Sequence, residues 1–88
     1  MIANSTAHIK LKRVRRGVRE AVEIQEKRFG YFPKRFRWRG HVYDVEQVER
    51  CWTTMKSSPS LCFRVRCSEG RFDLFQDVHM NSWEVARV

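Results

Sequence analysis

The chain has 88 residues and a formal charge of +8, with eighteen Lys/Arg against ten Asp/Glu. That length holds one domain rather than two, and a domain of this size buries roughly 60–65% of its unfolded surface, so its stability is modest. The N-terminus has no apolar signal-peptide core and no run approaches the roughly 18 apolar residues of a membrane helix, so the expectation is a cytoplasmic protein with no membrane role.

The charge is uneven. Residues 1–40 hold twelve Lys/Arg against three Glu, a balance of +9, while residues 41–88 hold six against seven, a balance of −1. Such asymmetry points to a polyanion partner, with nucleic acid ahead of an anionic membrane surface. A merely solvated Arg-rich surface explains the same count.

Met1 to His8 is small, polar and aperiodic. Ile9 to Arg16 follows as a basic run in which only Ile9, Leu11 and Val14 are apolar. Residues 1–16 therefore read as a flexible basic arm ahead of a single β domain over 17–88. The run also suits an edge strand, because Lys and Arg protect an edge from pairing with other chains.

Gly17 to Phe29 is open between two forms. As a helix it gathers Val18, Ala21, Val22, Gln25 and Phe29 on one face; as a strand it turns Val22 and Ile24 inward. Gly30-Tyr31-Phe32-Pro33 breaks the chain, since proline fixes its own φ and extends the residue before it. Phe36 and Trp38 then alternate with Arg35, Arg37 and Arg39, the period of a strand with one aromatic and one cationic face. A tight turn at Gly40-His41 makes this a hairpin running to about Val48. Tyr43 and Val45 share a face, and a bulge near Glu46-Gln47 brings Val48 and Trp52 back into line; a helical turn carrying Val45, Val48 and Trp52 is the alternative.

Thr53 to Ser60 has loop composition. Leu61, Phe63, Val65 and Cys67 then point inward, and Cys62, Arg64 and Arg66 outward. Ser68-Glu69-Gly70 is a hairpin turn, and Phe72 and Leu74 are the inward residues of the strand after it. Asp77 to Ser82 turns again, and Trp83 and Val85 are the inward pair of a last strand. The fold class is all-β: an antiparallel meander of about five or six short strands in a strongly bent sheet or partly open barrel.

The order Pro33-x-x-Phe36-x-Trp38-Arg39-Gly40-x-x-Tyr43-x-Val45-x-x-Val48, then Trp52, Phe63-Arg64-Val65, Gly70-x-Phe72-Asp73-Leu74, Asp77 and Trp83, resembles the DUF6504-type family of small bacterial proteins of unknown function. It is also similar to the C-terminal segment of Y-family-polymerase-like mutasome proteins. The resemblance covers roughly residues 20–88, favours a strand around Ala21–Gln25, and implies an association with DNA repair or translesion synthesis. It supplies no catalytic residues. The Arg-rich lead, Arg35 and Arg37 depart from its pattern.

The candidate nucleic-acid contacts are Arg35, Arg37, Arg39, Arg64 and Arg66 on the sheet and Arg13, Arg15 and Arg16 in the arm. Arginines two residues apart on a strand recur every ~6.6–7 Å, near the phosphate repeat of a nucleic-acid strand, and guanidinium binds phosphate bidentately. Tyr31, Phe32 and Phe75 are the aromatic residues suited to stacking bases. Cys51, Cys62, Cys67, His41 and His79 lack metal-ligand spacing and the odd cysteine count suggests reduced thiols, so no metal and no cofactor is expected. Asp44, Glu46 and Asp73 read as cross-strand ion-pair partners for the arginines rather than as catalytic acids. The reading is a non-catalytic, sequence-independent nucleic-acid-binding accessory module for DNA or RNA. The alternative is a protein-interaction module that docks onto a repair or replication assembly, or on itself, through a sheet edge.

Overall fold

The computed structural model describes residues 17–55 and 58–88. The expected arm over 1–16, with Arg13, Arg15 and Arg16, lies outside the described residues. Seven strands follow one another: β1 (Glu20–Ala21), β2 (Glu23–Arg28), β3 (Phe32–Trp38), β4 (His41–Met55), β5 (Pro59–Cys67), β6 (Gly70–Asp77) and β7 (Ser82–Arg87). Every pairing is antiparallel, and the sheet order is β1-β7-β6-β5-β4-β3-β2. The all-β meander expected from the sequence is present, with one or two more strands than expected.

The two ends of that order are one stretch of chain. Only Val22 separates β1 from β2, and its N–H donates to the Trp83 carbonyl at 3.1 Å. Residues 20–28 thus pair first with β7 and then with β3, and draw the sheet into a strongly curled half-barrel. The strand reading of residues 17–29 holds because Val22 and Ile24 pack against the core, whereas Glu23 and Gln25 face out.

The interior is aromatic. Phe36, Trp38, Tyr43, Phe63, Phe72 and Trp83 are buried with Val65, Leu74 and Val85. Phe36 stacks on Tyr43 at 5.0 Å, and Phe72 sets an edge toward Phe36 (5.7 Å), Trp38 (6.0 Å) and Tyr43 (5.1 Å). Large rings let so short a chain fill its core with few residues. The Cys67 thiol sits in this interior, where burial pushes its pKa up to about 12.

Four local expectations change. The first hairpin turns at Arg39-Gly40, not Gly40-His41: Trp38 lies opposite His41, and Arg39 and Gly40 take φ of 54° and 76°. Successive left-handed residues match the right-handed twist of the flanking strands. Residues 53–55 extend β4 rather than opening a loop, as β-branched Thr53 and Thr54 allow. Cys62 does point away from the core but is buried, because that outer face has cover of its own: Thr54 lies 3.9 Å from its sulfur, and Trp52 sits directly opposite. The bulge near Glu46 is present between Val45 and Gln47, but a second one between Val48 and Arg50 turns Trp52 outward.

Candidate nucleic-acid interface

Strand alternation puts Arg35 and Arg37 on the outer face of β3, with Arg39 in the turn beyond. Arg35 lies opposite Asp44 and donates to it from Nε at 2.7 Å, and it also approaches Glu26 at 3.3 Å. Arg39 clasps Glu20 with two hydrogen bonds, Nε to Oε1 at 3.0 Å and Nη2 to Oε2 at 2.8 Å, and Trp38 Nε1 donates to the same Oε1 at 3.0 Å. The Arg39 hydrogen bond holds the Glu20 carboxyl below its ordinary range, while the hydrogen bonds that Arg35 and Arg39 donate to Asp44 and Glu20 push both guanidiniums further toward the charged form. Arg37 lies opposite Glu23 and Val42 and makes no ion pair among the described residues.

The β5 arginines behave similarly. Arg64 forms a bidentate pair with Asp73 at 2.8 and 2.9 Å. Arg66 stands 3.9 Å from Glu46 and 4.0 Å from Glu49, whose other oxygen takes Arg71 at 3.1 Å. Arg35 and Arg37 pair with β4 at Asp44 and Val42, whereas Arg66 and Arg64 pair with it at Gln47 and Arg50. The two sets occupy separate lengths of β4 and do not merge into one ladder. The expected cationic face is for the most part a row of ion pairs with carboxylates of the same chain.

The less engaged cations lie where the sheet opens. β3 and β4 pair only as far as Arg35 and Asp44; from there β4 continues with β5 alone and the start of β3 with β2 alone. Pro33, which has no N–H to donate, sits where β3 has left β4. The wedge is a groove of about 480 Å³, lined by Phe32, Pro33, Val45 and Val48 with Arg28 and Arg50 among its polar groups. Neither arginine makes an ion pair among the described residues. Arg50 lies over the Trp52 ring at 5.0 Å.

Beside the groove, the turn between β2 and β3 projects Phe29 and Tyr31. Phe29 is 81% exposed and Tyr31 49%. Of the stacking candidates, Tyr31 is therefore accessible, Phe32 is half-buried against the core, and Phe75 is covered by the Arg19 guanidinium at 3.8 Å. Sequence reasoning missed Arg28, Phe29 and Arg50. A Phe-Gly pair between two strand-like stretches was the available signal for a turn that displays a ring.

Among the described residues no group of three His, Cys, Asp or Glu is arranged to hold a metal ion. Comparison with known proteins returns no match: no family model fits the chain, and no curated protein and no solved structure is similar to it. The resemblance noted above thus rests on its motif positions alone.

Proposed function

We propose that this chain is a non-catalytic, sequence-independent nucleic-acid-binding module, accessory to DNA repair or translesion synthesis as the sequence resemblance implies. The distribution of charge supports it. Residues 1–16 carry Lys10, Lys12, Arg13, Arg15 and Arg16 and no acid, whereas the described residues carry twelve Lys/Arg against ten Asp/Glu and tie several of those arginines to carboxylates. The arm is the main electrostatic contact in this reading, and Arg28, Arg37 and Arg50 extend it onto the barrel. Fluorescence anisotropy with labelled oligonucleotides tests it. Contact with about six phosphates gives a log–log salt slope of about −5 on duplex and about −4 on a single strand, and deleting residues 1–16 shrinks the single-strand slope by about 3–4. Absence of salt-dependent binding below ~100 μM at low salt, where non-specific affinities are tighter than their ~100 μM weak end at physiological salt, ends the proposal.

A second reading has its own observation. The edge of β4 from Val45 to Met55 that faces away from β5 has no strand partner among the described residues, and Met55 is 76% exposed. Bulges and the charges of Glu46, Glu49 and Arg50 guard its first half, but Cys51 to Met55 is regular and uncharged. Such an edge is a template for another strand. Sedimentation of the nuclease-treated protein reads self-association directly, and Thr53→Pro is expected to abolish any that passes through this edge.

A further inference from the structure

Phe29 puts a large ring at a turn position where, among the described residues, packing gives it no ring contact. Its φ is 56°, in the left-handed region, and Gly30 follows at 82°. Glycine and asparagine take that conformation readily; a phenylalanine pays a steric penalty between Cβ and the following carbonyl. The ring gains nothing in return, being 81% exposed and making no ring contact among the described residues.

Its neighbours are arranged for one kind of ligand. Tyr31 N–H donates to the Arg28 carbonyl at 3.2 Å and closes the turn. The Tyr31 ring lies 4.3 Å from Phe32, which sets its own edge against Phe63 at 5.9 Å, so a half-exposed ring is braced on the core. Arg28 opens onto the groove, and Arg50 lines it too. Two carboxylates line the groove as well: Glu49 takes Arg71 at 3.1 Å and Glu46 stands 3.9 Å from Arg66, while Glu26 beside it takes Lys34 at 3.2 Å and Arg35 at 3.3 Å. Two exposed rings thus stand in the turn between Arg28 and Phe32, which line a concave groove of about 480 Å³ with Arg50, and neither guanidinium closes an ion pair among the described residues. A volume in the range ~300–1,000 Å³ admits a small organic group such as a base.

We propose that this turn and groove bind unpaired bases of a single-stranded nucleic acid, with Phe29 and Tyr31 stacking on bases while Arg28 and Arg50 hold the adjoining phosphates. The inference rests on the nucleic-acid reading above and assigns it a site and a strand state. Stacking does not depend on base identity, because every base presents a π-face, and this agrees with sequence-independent binding. A concave site between rings and cations suits a base better than it suits a flat bilayer surface.

The test compares labelled oligo(dT) with an abasic strand of equal length, which keeps the phosphates and removes the bases. The wild-type chain is expected to bind oligo(dT) about a hundredfold more tightly, about tenfold for each of the two stacked rings, the lower part of the range for stacking on an aromatic side chain. Phe29→Gly and Tyr31→Ala should each remove about tenfold of the oligo(dT) affinity while leaving abasic binding and its salt slope unchanged. Phe29→Gly also relieves the left-handed strain, so its Tm should not fall, which separates loss of the ring from loss of the fold. Equal affinity for the two strands, unmoved by either substitution, overturns this inference and leaves the polyanion reading intact. Binding to neither strand overturns both. Tighter association with phosphatidylserine vesicles than with oligo(dT), lost in Phe29→Gly, overturns it in favour of a membrane surface.

Discussion

Arg35 on β3 sits opposite Asp44 and beside Glu26, and Arg39 in the turn after it is clasped by Glu20, whereas Arg28 at the end of β2 and, within the same groove, Arg50 close no ion pair among the described residues. The residue type is the same and the electrostatic situation is opposite. Residues directly opposite in an antiparallel ladder bring their Cβ atoms within ~4.5–5.5 Å, so an arginine strand laid beside a strand of alternating acids neutralises itself. Arg28 ends a strand whose register slips at Glu26 and Lys27, and Arg50 follows a bulge and faces Arg64. On this barrel, cations are freed where regular pairing fails. Arg37 marks the limit of that rule, since it lies in register opposite Glu23 without closing an ion pair.

The largest expected effect comes from reversing charge separately in the two regions. Arg28→Glu with Arg50→Glu should weaken binding to oligo(dT) and reduce the magnitude of the salt slope by about 1, each lost single-strand phosphate contact being worth about 0.7, with little change in Tm. Arg35→Glu with Arg64→Glu puts like charges opposite Asp44 and Asp73. That pair should lower Tm, by about 4–8 °C for each kcal/mol lost in a domain of this size, and leave the slope nearly unchanged. Anisotropy and thermal melts on both doubles decide. A larger loss of affinity in the β3–β5 pair inverts the comparison.

Much of the fold was legible because the signals were local. Alternation of Phe36 and Trp38 with arginines, and of Phe63, Val65 and Cys67 with polar residues, reports which side of a strand is buried, and the core takes those rings as expected. What could not be read was pairing. Asp44, Glu46 and Asp73 were legible as cross-strand partners for the arginines and do pair with Arg35, Arg66 and Arg64, but the register that sets Arg35 against Asp44 and Arg64 against Asp73 depends on turn length and on bulges at Glu46 and Glu49, so which cations they would neutralise was not. The groove was hidden for the same reason: it exists because β4 changes neighbour partway along its length. Phe29 was assigned to an ambiguous helix or strand face, because its left-handed backbone is a property of the closed turn and not of its side chain.

A smaller effect follows from acid, and it separates the two regions. The Glu20 carboxyl lies below its ordinary 4.5 chiefly through the Arg39 hydrogen bond, and Glu69 lies below the same value chiefly through His41. Asp77 lies below 3.8 because the Met80 N–H donates to it, helped by the Ser58 hydroxyl. A carboxyl whose folded pKa is depressed contributes stability that is fully present above its unfolded value and is lost as pH falls through the folded one. Tm should therefore hold from neutrality to about pH 5 and decline below about 4.5. The decline should be shallower in Glu20→Gln, which gives up its share at every pH. As pH falls through the depressed Glu20 value, the Arg39 clasp loses its charge, whereas Arg28 and Arg50 close no ion pair among the described residues that acid could break. The acid decline in Tm should therefore be as steep in the double variant Arg28→Gln, Arg50→Gln as in the wild-type chain, and shallower in Arg39→Gln. A decline flattened equally in both would mean that the groove arginines are paired with carboxylates after all.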